Sequence, residues 1–333
     1  MKKFSSPLIT PQTRILVGVE VRKLLFLCGA FLCLLNWIYP PLALTLGMTL
    51  SLTVHNPFTR TSRYIAKYLL QGCVILLGFG MNLTVVLKAG ESGALFAAFS
   101  IITTFFFGYI LGQRLKIPVK ASVLISAGTA ICGGSAIAAV GSVISATESE
   151  ISVAIGTVFL LNAAALYIFP PLGHLLHLTP TQFGTWAGVA IHDISSVVGA
   201  ASDFGLSSLD TATAVKLSRA LWIVPVCVIA AFIFQRDHTQ DTQQVSNRIQ
   251  IPWFIGLFLL ASVVRTFVPG IAIWSPLLKH LSESGLTLVL FLIGTNLSRR
   301  ALKAVGWKPM VQGMVLWVFI SVGSALIIQQ IVH

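Results

Sequence analysis

Long apolar segments follow one another along this chain from Leu24 to the C-terminus. Most of them contain about 16 to 22 residues, the length that an α-helix needs to cross about 30 Å of hydrocarbon. The chain of 333 residues is 56% hydrophobic and only 10% charged, whereas soluble proteins average about 25% charged residues. The sequence therefore predicts an all-α polytopic membrane protein embedded in a lipid bilayer.

We predict about eleven transmembrane helices in a single integral membrane domain that covers residues 1–333. A polar segment, residues 1–23, precedes spans 1–8 in residues 24–234, and a cytoplasmic loop, residues 235–250, separates them from spans 9–11 in residues 251–333. The predicted spans are 24–39, 40–55, 68–87, 93–112, 121–145, 151–169, 184–204, 212–234, 252–269, 281–297 and 310–332.

Lysine and arginine residues concentrate in the connections on one side of these spans. If the N-terminus is cytoplasmic, only Lys88 and Lys279 fall in the outer connections. This asymmetry follows the positive-inside rule, so it predicts a cytoplasmic N-terminus and an outer C-terminus. The net charge of +12 is then a topology signal, and we expect no nucleic-acid partner. The first 23 residues carry no signal-peptide cleavage pattern, so we expect the first span to direct insertion.

Two similar stretches interrupt the apolar pattern at predicted mid-membrane depth. Residues 128–141 read GTAICGGSAIAAVG and residues 188–201 read GVAIHDISSVVGAA. Glycine weakens a helix and ionisable groups are costly in hydrocarbon, so both stretches predict helices interrupted around a polar site. Because one predicted span lies between them, we expect the two stretches to run in the same direction. Their likeness then indicates shared local geometry rather than duplication.

The first stretch contains small and polar residues suited to an anion. An opened helix there exposes backbone N–H groups, and the N-terminus of a helix attracts anions. The alternative is close packing of helices through small residues. The candidate binding residues are Thr129, Cys132, Gly133, Gly134 and Ser135.

The second stretch contains the ionisable pair His192 and Asp193, followed by Ser195 and Ser196. An aspartate at this depth costs several kcal/mol without a partner, and histidine titrates near neutral pH. We therefore predict that His192 and Asp193 couple transport to a proton or cation, and that the serines contact substrate. The alternative is a hydrogen-bonded His–Asp pair that holds helices together.

Lys216 and Arg219 are three residues apart in VKLSRAL, so they share one helix face. Their cationic groups are natural partners of an oxyanion, and we predict that they bind substrate. We place them in the opening turns of the eighth span. There, the alternative is that they extend to the membrane surface.

A second internal likeness joins LLGFGMNL, residues 76–83, to LFLIGTNL, residues 290–297. In the predicted topology the two run in opposite directions, as in an inverted-topology repeat, although chance similarity among Leu- and Gly-rich segments also explains them. The chain has no HExxH, GxSxG or GxxxxGK[ST] motif. We therefore expect neither an enzyme nor an ATP-driven pump, and no cofactor or metal.

Four motifs and their order resemble the UPF0324 family of bacterial inner-membrane proteins, also called the PSE family after a proposed export of sulfate. They are SAGTAICGGSAIAAVG (126–141), GTWAGVAIHDISSVVGAA (184–201), VKLSRAL (215–221) and GTNLSRRALKAVGWKP (294–309). The resemblance implies a secondary transporter related to bile acid–sodium symporters. Such proteins have inverted repeats and discontinuous helices that cross where they are unwound.

Position by position, the family motifs fall on residues 132–135, on His192-Asp193 and on Lys216 with Arg219. Family members usually continue from His-Asp with Thr-Ala-Gln-Val, whereas this chain has Ile-Ser-Ser-Val at 194–197. That departure indicates a different solute. We expect ion- or proton-coupled transport of a small anion such as sulfate, sulfite or a sulfonate. The coupling ion is a proton or sodium, and the sequence is compatible with a homodimer. The alternatives are an anion channel and a non-transporting membrane module.

Overall fold

The computed structural model describes residues 11–35, 37–53, 56–234, 253–296 and 305–331, and the regular elements in these ranges are helical. The first half contains α1 (Pro11–Leu34), α2 (Pro40–Thr53), α3 (Thr59–Gly80), α4 (Leu83–Leu115), α5 (Val119–Ala130), α6 (Gly134–Val143) and α7 (Glu148–Leu175). The second half contains α8 (Pro180–Ala190), α9 (Ile194–Phe204), α10 (Leu206–Ala220), α11 (Ile223–Phe234), α12 (Trp253–Phe267), α13 (Ser275–Asn296) and α14 (Trp307–Ile331). A short 3-10 helix, Pro269–Ile273, joins α12 to α13. The loop predicted at 235–250 lies outside the described residues.

Five helical segments are long and apolar enough to cross a membrane by length and composition. They are Phe96–Leu115 in α4, α7, Ser207–Phe234, α13, and Trp307–Gln330 in α14. This supports the predicted class, a multi-pass α-helical membrane protein.

The predicted span 121–145 folds back on itself instead of crossing as one helix. The helix ends at Ala130 and begins again at Gly134, as the glycine pair predicts. The Lys120 ammonium donates a hydrogen bond to the Ser145 carbonyl at 3.0 Å, although a continuous helix would separate these residues by about 38 Å. A methyl group at Gly128 would lie 2.8 Å from Cδ1 of Ile137. Residues 119–143 therefore form an antiparallel helical hairpin, hairpin 1, with its tip at 131–133.

The prediction that residues 184–204 form one crossing helix is also wrong, because this segment folds back on itself as well. The rings of Phe183 and Phe204 stack with centroids 3.9 Å apart, whereas one continuous helix would separate them by about 32 Å. The chain turns between Ala190 and Ile194, where the ionisable pair interrupts the apolar pattern. Residues 180–204 form hairpin 2, with its tip at 191–193. Two hairpins thus replace the crossing helices that the family resemblance implies.

The hairpins approach each other from opposite ends of α7. At the start of α7, Ile151 packs against hairpin 1, 3.2 Å from a methyl group placed at Gly141. At its end, His174 stacks on Phe204 of hairpin 2 with ring centroids 4.3 Å apart. The expectation that the two similar stretches run in the same direction is therefore wrong, because hydropathy does not reveal that each stretch turns back.

The eighth span begins earlier than predicted. Its first helix, α10, starts at Leu206 and ends at Ala220, and α11 follows at Ile223. The sequence at 206–211 is LSSLDT, which is too polar to be included by hydropathy. Lys216 and Arg219 consequently lie in the last turns of α10, halfway along the segment, and not in its opening turns.

The helices pack into two groups. In the first group, the frame, α2 and α3 pack on α13, while α12 packs on α3 and α1 on α13. The second group, the core, consists of α4, the two hairpins, α7, α10, α11 and α14. Packing within each group is more extensive than the packing between them, where α9 contacts α13, α12 contacts α4, and α2 contacts α7 and α9.

Close helix approach in the frame makes one glycine of α3 intolerant of a side chain. A methyl group at Gly78 would lie 2.5 Å from the Phe258 carbonyl oxygen of α12, whereas at Gly72, on the same helix, it would meet nothing within 4 Å. We expect Gly78→Ala to destabilise the protein by about 1–3 kcal/mol through overpacking, while Gly72→Ala leaves stability unchanged or raised. Thermal unfolding of the two purified variants checks this, and equal melting temperatures would contradict it.

Candidate functional site

The two hairpin tips contact each other beside the middle of α7. Gly133 has a φ of +64°, a conformation that glycine adopts readily and other residues rarely. A methyl group there would lie 3.4 Å from the Asp193 Cβ, the His192 carbonyl oxygen and Cγ1 of Val158. Glycine at this position therefore supplies the turn, and the second tip packs beside it at van der Waals distance.

Lys216 and Arg219 each bind the C-terminal end of the first helix of a hairpin, Lys216 at α8 and Arg219 at α5. The Lys216 ammonium donates to the Ile191 carbonyl at 2.5 Å, at the end of α8. The Arg219 guanidinium donates to the carbonyl of Ala130, the last residue of α5, and to the Ser100 hydroxyl at 2.9 Å. Cations are stabilising at helix C-termini, where the unpaired carbonyls carry partial negative charge. Both side chains are 1% exposed, so the alternative that they extend to the membrane surface is wrong.

Asp193 caps the second arm of hairpin 2. One carboxylate oxygen accepts hydrogen bonds from the Ser195 hydroxyl at 2.6 Å and the Ser196 backbone N–H at 2.9 Å. The other accepts from the Ser196 hydroxyl and the Asn162 amide, both at 2.8 Å. The two predicted serines thus bind Asp193, and the carboxylate is held by four donors at the N-terminus of α9.

Asn162 belongs to the site although it is not among the residues predicted from the sequence. It lies in α7 and is 2% exposed. Its amide nitrogen binds Asp193 and its amide oxygen accepts from the His192 backbone N–H at 3.0 Å. A single amide in the apolar run FLLNAAAL was the available signal, because a polar group in such a helix requires a partner.

His192 is not paired with Asp193, so the alternative of a hydrogen-bonded His–Asp pair is wrong. Within the described residues, both ring nitrogens of His192 are buried without a hydrogen-bond partner, as are Thr129 Oγ1 and Arg219 Nε. His192 and Thr129 are each 1% exposed. Such groups are rare in folded proteins, and here they lie behind the tips.

A cavity of about 470 Å³ faces the contact between the tips. From hairpin 1 it is lined by Cys132, Gly134 and Ser135, and from hairpin 2 by Asp193, Ile194 and Ser195. Lys216 completes the core side, and Arg63, Lys67 and Asn296 lie on the frame side. Five of the predicted residues do not line the cavity and support the tips from the side away from it. They are Thr129, Gly133, His192, Ser196 and Arg219.

The N-terminus of α6 opens into this cavity. Its N-cap residue is Gly133, which supplies no side-chain cap, and its first two residues, Gly134 and Ser135, line the wall. The N-cap position of α9, in contrast, is occupied by Asp193, whose side chain does cap the helix. Uncapped N–H groups at a helix N-terminus favour an anion.

These features define a multi-pass α-helical membrane protein whose polar centre lies where two helical hairpins meet. Residues 24–313 match the family described as conserved hypothetical protein 698, and close relatives carry the name UPF0324 membrane protein. The chain belongs to this UPF0324 family.

Three relatives illustrate the extent of the match. The UPF0324 membrane protein of Bacteroides thetaiotaomicron is 46% identical over 290 residues, 86% of each chain. That of Porphyromonas gingivalis is 45% identical over 294 residues, 87% of this chain and 86% of the relative. That of Bdellovibrio bacteriovorus is 43% identical over 302 residues, 91% and 92% of the two chains. No solved structure matches the chain significantly.

Proposed function

We propose that the protein is a secondary transporter that binds a small anion between the two hairpin tips. The observation that carries this proposal is the cavity of about 470 Å³, whose lining among the described residues contains Arg63, Lys67 and Lys216 but only one acidic residue, Asp193. Its volume is within the roughly 300–1,000 Å³ range of small-molecule sites. The uncapped N-terminus of α6 adds favourable dipoles. Sulfate, sulfite or a sulfonate suits this combination of charge and size.

We infer a topology of about nine crossings and two re-entrant hairpins in the bacterial inner membrane, with a cytoplasmic N-terminus. Hairpin 1 enters from the cytoplasm and hairpin 2 from the outside. Each hairpin returns to its side of origin, so only the connections 144–147 and 176–179 change sides relative to the predicted topology. Neither connection contains Lys or Arg, and the positive-inside asymmetry is therefore preserved.

We further infer an inverted repeat with a permuted order of elements. Hairpin 1 with α7 corresponds to hairpin 2 with α10 and α11, which relates the similar stretches 128–141 and 188–201. The packing of α2 on α13 corresponds to that of α12 on α3, and the packing of α4 on α5 to that of α14 on α8. In this scheme α3 and α13 are equivalent, consistent with the likeness of residues 76–83 and 290–297.

The proposal assigns coupling to His192 and Asp193 at the tip of hairpin 2. A proton or sodium ion that binds there changes which groups donate hydrogen bonds to the Asp193 carboxylate. The position of the N-terminal end of α9, which lines the cavity, changes with them. This gives a physical route from ion binding to the shape of the anion site.

Labelled sulfate flux in proteoliposomes tests the function. We expect uptake that is accelerated by a pH or sodium gradient and inhibited by unlabelled sulfite. Planar-bilayer recording separates a carrier from a channel, because a channel passes resolvable single-channel currents. No flux of sulfate, sulfite or any sulfonate under either gradient would overturn the proposal.

Charge reversal on α3 tests the anionic character of the cargo. We expect Arg63→Glu with Lys67→Glu to raise the KM for the anion by about tenfold or more, equal to about 1.4 kcal/mol, with a smaller effect on kcat. Arg60→Glu is the matched control, because Arg60 is exposed on the same helix but does not line the cavity. An unchanged KM in the double variant, or an equal increase in the control, would argue against an anion in this cavity.

A further inference from the structure

The cavity between the tips lies in the seam between core and frame. Cys132, Ser135, Asp193 and Lys216 line it from the core, whereas Arg63, Lys67, Phe254 and Asn296 line it from the frame. Any movement of one group against the other therefore changes access to the site.

A second cavity, of about 260 Å³, lies in the same seam and is separate from the first. It is lined from the frame by residues 38–40 and by Glu283 and Thr287, and from the core by Gly199, Ser202 and Asp203 of α9. Asp203 lies near the open end of hairpin 2, far along α9 from the tip. The two cavities thus mark two approaches to the tips, from opposite ends of the molecule.

An ion pair joins core and frame at the end where hairpin 2 opens. The Lys279 ammonium of α13 contacts Asp210 of α10 at 2.7 Å, and the two side chains are 18% and 33% exposed. In the described part of the chain, the only other ion pair links Lys23 to Glu20 within α1. Lys279 with Asp210 is therefore the only described ion pair between the two groups.

We propose that Lys279 and Asp210 form a latch that closes the outer approach to the anion site while the larger cavity is open to the cytoplasmic side. Releasing the latch allows core and frame to separate at the outer end and the cavity to close at the inner end. The assignment of cytoplasmic and outer ends rests on the proposed transport function and its topology. A partly exposed ion pair biases such an equilibrium by up to about fivefold.

Side-specific labelling of a cysteine in the cavity tests the latch. Ser135→Cys places a thiol at an exposed position of the cavity wall, and the protein without this substitution gives the background from its five native cysteines. A membrane-impermeant maleimide is applied to right-side-out and inside-out vesicles. We expect preferential labelling from the cytoplasmic side, and Asp210→Asn or Lys279→Gln to accelerate labelling from the outside by about fivefold.

Two controls make the result specific to this ion pair. The exchanged pair Asp210→Lys with Lys279→Asp should restore the original labelling pattern, and Lys23→Gln, which removes the ion pair within α1, should leave it unchanged. Outer labelling equal to that of the Lys23 control, or failure of the exchanged pair to restore the pattern, would overturn the latch. Labelling requires no cargo, so a latch without anion flux would count against the proposed function alone.

Should the exchanged pair fail to fold, a cross-link supplies the second measurement. Asp210→Cys with Lys279→Cys, oxidised to completion, should prevent the acceleration of outer labelling and stop anion flux until a reductant is added. Undiminished flux through the fully cross-linked protein would contradict the latch directly.

Discussion

Asp193→Asn is expected to reduce anion transport by on the order of a hundredfold and to destabilise the tip of hairpin 2. The two carboxylate oxygens accept four hydrogen bonds, from Asn162, Ser195 and twice from Ser196. An asparagine replaces one oxygen with a donor and leaves two of these groups without an acceptor. A buried polar group without a partner costs about 1–3 kcal/mol, and a hundredfold change corresponds to about 2.7 kcal/mol.

Sulfate flux and thermal unfolding of the variant check this expectation. Glu148→Gln is the matched control, because it also changes a carboxylate to an amide, at an exposed position in the first turn of α7 that lines neither cavity. A fully active and fully stable Asp193→Asn protein would show that the carboxylate neither couples transport nor organises the tip.

Arg219→Met is expected to lower the melting temperature by roughly 5–10 °C and to abolish transport. The substitution removes the donors to the Ala130 carbonyl and the Ser100 hydroxyl. It also removes the cation at the C-terminal end of α5, so the partial negative charge of the unpaired carbonyls there is no longer compensated. Arg219→Lys should recover only part of the loss, because an ammonium lacks the forked geometry that reaches both groups.

The same unfolding and flux measurements apply to this pair of variants. Arg114→Met serves as the control, since Arg114 is exposed in the last turn of α4. Equal melting temperatures and rates for Arg219→Met and the control would show that Arg219 does not hold hairpin 1.

The positions of the two helix breaks were predictable, whereas the direction of the chain after each break was not. The glycine pair at 133–134 and the ionisable pair at 192–193 both interrupt apolar runs, and the helices stop there. An apolar run of about 25 residues accommodates either one crossing helix or two shorter helices. Only a long-range contact, such as that of Lys120 with Ser145, distinguishes the two.

The partners of the predicted site residues were also beyond the reach of local patterns. Lys216 was assigned to an anion because of its charge, but its hydrogen-bond partner is the carbonyl of Ile191, 25 residues earlier. The partner of Arg219 at Ala130 is 89 residues away. Asn162 has no neighbour in sequence that indicates its role, because its contacts lie 30 and 31 residues further along the chain.

The long separation between Ala130 and Arg219 has a consequence for biosynthesis. The 12-residue α5 and the 10-residue α6 leave the ribosome well before the guanidinium that completes hairpin 1. At about 5–20 residues per second, the intervening 89 residues take roughly 5 to 20 s to translate. Throughout this interval both helices of hairpin 1 are already synthesised, while the end of α5 still lacks the guanidinium that binds it in the folded protein.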